Sequence, residues 1–230
     1  MDYIDTFEHV GLHVRIVHDE DTEFANPRDY DGNLGKMFCD YRGYVLGDSD
    51  APDPRDADDI TVEGMVAYLK REFGARVVLP LFVYEHSGIT MRAGGRLDTG
   101  DDNMRAAGRF MGDDAGWDTS TVGMIFDTAE TRKECECEDW DDERIEQDLR
   151  ESVAYYAAYL EGNVYGYVVV DNDENVLESC WGYLELNVFD DDAYVRQAGR
   201  ADAEVCARAI ERERIEAAEM AARDIITIDR

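Results

Sequence analysis

Hydrophobic positions along this 230-residue chain change period several times, and each change marks an element. The longest apolar run is Val77 to Met91, VVLPLFVYEHSGITM. Between Val77 and Glu85 it is too continuous to alternate, so it predicts a strand covered on both faces and central in its sheet. Pro80 lies inside that run without a backbone N–H, which asks for a bulge or for a less central place. The run ends in Glu85-His86-Ser87-Gly88, a polar tetrad where a buried strand meets the surface, and Ile89-Thr90-Met91 resumes a β pattern.

In chain order, Glu8 to Asp19 sets Val10, Leu12, Val14 and Ile16 at period two and predicts a half-buried strand. A turn-rich loop follows over 26–35, then short strands at 36–39 and 41–46 closed by Gly47-Asp48, and a Pro and Asp linker over 50–59. A helix is predicted over 62–72, with Thr61 as N-cap, Val62, Met65, Val66, Leu69 and Phe73 as its stripe, and Gly74 as its stop. Residues 93–118 are glycine-rich and polar and read as a flexible, lid-like loop. Ser120 to Asp127 is a further strand, and Ile145, Leu149, Val153, Tyr156 and Leu160 stripe a helix over 141–160 that Gly162 ends. Asn163 to Val170 and Val176 to Leu184 flank Asp171-Asn172-Asp173-Glu174-Asn175 as a β-hairpin. The last stretch, 191–223, pairs opposite charges three or four apart and predicts a long solvated helix with a thin stripe of Val195, Ala198, Val205, Ile210 and Ala217.

Strands and helices interleave without a regular βαβ repeat, so the expected class is α+β: a mixed or mainly antiparallel sheet flanked by two helices, with a long C-terminal helix. The expected organisation is one domain over 1–188 and a helical extension over 189–230. That helix either packs on the domain or pairs with another chain to make a homo-oligomer.

Charge adds an environment. The chain carries 54 acidic against 23 basic residues, a formal net charge of −31, and only Lys36, Lys70 and Lys133 are lysines. The acid runs are dispersed along the whole length, which favours adaptation to high salt, where repulsion is screened within about 3 Å at molar ionic strength. The competing reading is a mimic of DNA. Direct nucleic-acid binding is not expected, because no stripe of Lys and Arg meets the phosphates. No run of 18 apolar residues occurs, and MDYIDTFEHV lacks the charged and apolar regions of a signal peptide, so neither secretion nor a membrane span is expected. Five cysteines in no framework spacing suit a reducing cytoplasm.

Candidate chemistry is sparse. His86 and Ser87 are a histidine and a hydroxyl, but neighbours on a strand point to opposite faces, and no G-x-S-x-G elbow is present. If His86 acts as acid or base, a carboxylate such as Glu85 or Asp118 would orient it. Cys135-Glu136-Cys137 spaces its thiols too closely for a structural zinc pair and reads as a solvated acidic loop, so no metal is expected. Asp171, Asp173 and Asn175 imitate the start of a calcium loop, yet Val176 and Gly182 stand where it needs glycine and glutamate. No cofactor motif is present. The aromatics Tyr155, Tyr156, Tyr159, Tyr165, Tyr167, Trp181 and Tyr183 crowd the later half, with Trp117 at the end of the loop. Most read as core, and an exposed subset would make a recognition surface.

Four segments carry a resemblance: NPRDYDGNLGKMFCDYRGYVLGD from Asn26, LPLFVYEHSGITM from Leu79, GWDTSTVGMIF from Gly116 and NVYGYVVVDNDENVLESCWGYL from Asn163. They resemble a family of uncharacterised proteins encoded by tailed bacteriophages and haloarchaeal viruses, in the same order over most of residues 8–185. The family pattern has Trp-Asp-Ser-Gly where this chain has Trp117-Asp118-Thr119-Ser120. The resemblance implies a viral or proviral gene in a haloarchaeal host, with a product in the host cytoplasm or the virion; it carries no catalytic residue over to this chain, and the chain itself shows no complete nucleophile, ligand set or phosphate loop. The expectation is therefore a non-enzymatic accessory protein that binds a host or viral protein, of the counter-defence type, through Asn26, Arg28, Trp117, Tyr165, Trp181 and Tyr183. The alternatives are a minor virion component and a small hydrolase or nucleotide-acting enzyme, in which His86, Asp118 and Asn26 or Arg28 would converge in one cleft.

Overall fold

The computed structural model describes residues 3–86, 88–97 and 118–228, with side chains as far as Met220. Ser87, Trp117 and most of the 93–118 loop therefore lie outside the described residues. The described chain forms strands β1 (Tyr3–His9), β2 (Leu12–His18), β3 (Gly35–Cys39), β4 (Val78–Glu85), β5 (Ile89–Ala93), β6 (Thr119–Asp127), β7 (Val164–Val170) and β8 (Val176–Leu184). Its helices are α1 (Val62–Phe73), α2 (Ala129–Glu134), α3 (Asp142–Leu160) and α4 (Tyr194–Ile228). The class is α+β, and every strand pairing is antiparallel. The strands lie in two four-stranded sheets, β1-β2-β7-β8 and β3-β6-β4-β5, where a single sheet was expected. No described helix is long and apolar enough to cross a membrane.

The chain divides into two compact units, Met1–Ala25 with Asn163–Arg230, and Asn26–Gly162. A boundary drawn at 188 from composition falls inside the first unit. An acidic run is a local signal, whereas the unit is built by β2 pairing with β7 some 150 residues later, His13 opposite Val170.

In the unit of residues 26–162, β4 is interior, between β6 and β5. Its odd positions Leu79, Leu81 and Val83, with Val77 just before it, join Ile145, Leu149, Val153 and Tyr156 of α3, while Val78 meets Val66 and Leu69 of α1. A strand covered on both faces is apolar at every position, and that is the pattern seen. Pro80 is tolerated because its carbonyl accepts the Gly94 N–H at 2.8 Å. The polar edge that lacks a donor thus faces the β5 side just past the last β5 pair, Leu81 opposite Ala93. The bulge falls one residue on, between Leu81 and Phe82 against β6. Thr61 caps α1 by accepting the Gly64 N–H, and Gly74 ends it with φ 65°. The first residues of the expected loop are held beside β4, with the Leu97 N–H on the Val78 carbonyl.

Three local expectations differ. Residues 41–46 form no strand: Gly43 at φ 83° turns the chain and Val45 is left in solvent. Cys135-Glu136-Cys137 is not a solvated loop, because Cys137 is fully buried in the α3 core with Cys135 packed against it, and Glu136 at φ 54° makes the turn that aims both inward. Burial raises both thiols above their ordinary values. The predicted strand over 8–19 is a hairpin, with His9 opposite Leu12 and Val10 and Gly11 as a two-residue turn, φ 48° and 80°. Val10 continues the alternation in sequence but is exposed at the tip.

In the other unit, β7 is buried along its whole length and β8 is an outer strand. Helix α4 lies on the face made by Leu12, Val14, Ile16, Tyr165, Tyr167 and Val169, and contributes Val195, Ala203 and, partly buried, Ala198, Cys206 and Ile210. The packed side is its small-residue side: a Cβ at Gly199 would come 2.6 Å from Val14 Cγ1. Val205 and Ala217 of the expected stripe are exposed instead. The N-terminus of α4 is capped from afar by buried Glu185, which accepts the Val195 N–H at 2.8 Å.

Candidate functional site

The polar end of β4 is assembled by strand pairing. The Glu85 N–H donates to the Asp118 carbonyl at 3.1 Å, so the start of β6 lies against the end of β4. This sets His86 Nδ1 3.4 Å from Asp118 Oδ2, with the two side chains 68% and 42% exposed. The separation is an ion-pair distance beyond the usual hydrogen-bond range, and at this exposure it is a weak surface contact. Tyr84 stacks beside the imidazole with ring centroids 6.2 Å apart. Glu85 is occupied otherwise: it accepts the Tyr41 hydroxyl at 2.7 Å and the Tyr44 hydroxyl at 3.0 Å, and those bonds to a carboxylate raise both phenols. Of the two carboxylates that could face His86, Asp118 is the one in place. Sequence reasoning missed Tyr41 and Tyr44, which it placed on a strand. Ser87 and Trp117, the two candidates on either side of this corner in sequence, are outside the described residues.

Asn26 and Arg28 are elsewhere in the same unit. Asn26 Oδ1 accepts the Arg28 N–H at 3.0 Å and starts a short 3-10 turn. The Arg28 guanidinium is 2% exposed and bidentate to Asp48, with Nε and Nη2 each at 2.7 Å, and it also donates to Asn33 Oδ1 and the Gly35 carbonyl. Asp48 takes the Met37 N–H as well. The pair clasps the turn-rich segment onto β3, and its donors are spent within the chain. It underlies a cavity of about 560 Å³ rimmed by Tyr30, Lys36, Asp50 and Glu134, to which His86 does not contribute. Arg28 and His86 thus do not share a cleft among the described residues.

Sheet geometry divides the aromatic group. Tyr155, Tyr156 and Tyr159 belong to α3 in one unit, where the Tyr156 hydroxyl is buried and accepts the Gly47 N–H. Tyr165, Tyr167, Trp181 and Tyr183 belong to the other. Tyr165 and Tyr183 are cross-strand partners on the face under α4, Tyr165 stacked on His18 at 5.1 Å and Tyr183 tilted against Tyr167 at 5.9 Å. Burial pushes the Tyr183 phenol up to about 12. The Tyr167 hydroxyl donates to Asp202 of α4, a partly buried link the sequence did not flag, and burial raises that phenol too. Trp181 lies on the opposite face, across Gly166: a Cβ at 166 would stand 2.3 Å from Trp181 Cε3. It remains 41% exposed on an outer strand whose nine residues include a single charge, Glu178.

Among the described residues, no three His, Cys, Asp or Glu side chains come together as a metal site. Asp171 closes the β7–β8 turn by accepting the Asp173 and Asn175 N–H groups, each at 2.9 Å. The chain matches no family model, no curated protein and no solved structure.

Proposed function

We propose that this protein is a non-enzymatic accessory protein of a virus or provirus in a halophilic archaeon, which binds a host or viral protein through the outer face of β8. The observation that carries the reading is Trp181: a large aromatic laid on Gly166, half in solvent, on a strand with one charge in nine, in a chain a third of whose residues are charged. Partly exposed tryptophan on a rigid support is the side chain that contributes most to protein interfaces at low entropic cost. The acidic remainder keeps the molecule hydrated and excludes phosphate backbones as partners.

The test is affinity capture from haloarchaeal lysate at molar salt, with the native chain beside Trp181→Ser, and circular dichroism to show that the variant keeps its fold. A protein retained by the native chain and lost with the variant is expected. If neither form retains anything specific, the binding reading fails in that host.

A second reading rests on the His86–Asp118 contact. A histidine within 3.4 Å of a carboxylate at a strand end is the start of an acid–base pair. Hydrolysis screens on nucleotides and esters, with His86→Ala as control, test it: turnover lost in that variant would replace the binding reading with an enzymatic one.

A further inference from the structure

Strand β8 is the edge of its sheet, yet it is closed to a further strand. Its pairing with β7 is broken twice, between Tyr165 and Tyr167 and between Val169 and Val170. The N–H groups of Ser179 and Gly182 are taken by carboxylates, Glu178 Oε1 at 3.0 Å and Asp19 Oδ2 at 2.9 Å. A partner therefore meets β8 through side chains rather than through a backbone ladder.

The side chain it meets is Trp181, and the charge beside that indole is negative. Asp19 continues the pairing of β2 with β7, its N–H on the Val164 carbonyl at 2.9 Å. Its neighbour His18 stacks on Tyr165 beneath α4, so Asp19 points to the opposite side of the sheet, the side of Trp181. There its carboxylate holds the N–H of Gly182, the residue next to Trp181, and with Oδ1 the N–H of Asp21 at 3.0 Å. These bonds fix the carboxylate and leave its charge uncancelled. Arg15, on the same face, is engaged with Glu174 at 2.6 Å, and no Lys or Arg among the described residues pairs with Asp19, Glu20 or Asp21.

We infer that the Trp181 face binds an arginine of the partner, its guanidinium stacked on the indole and its N–H groups on the Asp19 carboxylate. This rests on the proposed role of β8 as a binding face and names the side chain that face takes. A flat, weakly hydrated cation uses the ring and the carboxylate together. A lysine ammonium is compact and strongly hydrated, and in molar KCl it competes with potassium for the carboxylate alone. At that ionic strength attraction reaches only about 3 Å, so contact at the ring and carboxylate decides affinity and the net charge of the chain does not.

Fluorescence anisotropy in molar KCl tests this with two labelled peptides, one of arginines only and one of the same number of lysines, titrated with the native chain, Trp181→Leu and Asp19→Asn. The peptides carry equal charge, so general attraction to the acidic chain cancels between them. The native chain is expected to bind the arginine peptide about tenfold more tightly than the lysine peptide. Both variants are expected to lose that preference with unchanged circular dichroism; Trp181→Leu keeps an apolar side chain over Gly166 and decides alone if Asp19→Asn unfolds. Equal affinity for the two peptides, no binding of either at about 1 mM chain, or a preference that survives in a folded variant overturns the inference. Equal affinity together with a lysate protein captured by the native chain and lost with Trp181→Ser would remove the arginine assignment and leave the binding function standing.

Discussion

Trp181 rests on Gly166 so closely that no other residue fits beneath it: a Cβ there would approach Cε3 to 2.3 Å and Cδ2 to 2.7 Å. The contact holds a half-exposed indole in one place on an outer strand, and it makes Gly166 the support of the proposed binding face. Gly166→Ala must displace the ring or spread β7 from β8. We expect a loss of about 1–3 kcal/mol in denaturant unfolding, with a shift in tryptophan emission at denaturant concentrations where the fold persists. Unchanged emission and stability would show that the indole is not held there.

The Arg28–Asp48 clasp is buried at both ends, 2% and 8% exposed. Removing one partner strands the other, so Arg28→Ala or Asp48→Ala should each cost about 3–5 kcal/mol. Arg28→Met with Asp48→Leu removes both charges and should lose much less than either single change. Urea unfolding in molar salt measures all three. A double variant as unstable as the singles would mean that the clasp contributes favourably as a pair.

Val10 occupies a turn position with φ 48°, a conformation that β-branched residues resist. Asn is at ease there and suits the first place of such a hairpin turn. Val10→Asn should therefore raise stability by about 1 kcal/mol, read as an increase in the urea midpoint without a change in slope.

Glu185 sits buried at the start of α4, and desolvation raises its carboxyl above the ordinary 4.5 despite the backbone N–H groups it accepts. The folded form therefore holds its proton to higher pH than the unfolded chain. Its contribution is complete below the ordinary value and is lost as pH rises through the raised one. Glu185→Gln keeps an acceptor for Val195 and removes the titration. The difference between native and variant stability should change with pH over the interval just above 4.5 and be flat below it. A difference that stays constant from acid to neutral pH would show that the carboxyl is not desolvated.

Much of the fold was legible in local pattern. The apolar run of β4, the stripe and caps of α1, the stripe of α3 and the Asp-rich turn between β7 and β8 were found where their residues placed them, because each is set by contacts within one element or one turn. Lost at short range were β1, the Val10–Gly11 turn and the inward Cys137: one apolar residue at a hairpin tip keeps the alternation going, and a positive φ at Glu136 leaves no trace in composition. Of the candidate residues, the sequence marked His86 and its carboxylate choices, and Arg28 as a charge among turn formers. Which carboxylate faces the imidazole, and that Arg28 is spent on Asp48, depends on residues 32 and 20 positions away.

The sequence by itself determined most of the element types, the α+β class and the acidic character of the chain, because hydrophobic period and net charge are sums over near neighbours. Tertiary structure alone decided that the strands form two sheets, that residues 1–25 and 163–230 make one unit, that Trp181 rather than Tyr165 or Tyr183 faces solvent, and that α4 is packed as far as Ile210 and exposed over Glu211–Met220. Those outcomes rest on pairings such as Ile16 with Tyr167, whose closure over a long stretch of chain is favoured only once the whole sheet and helix are buried together.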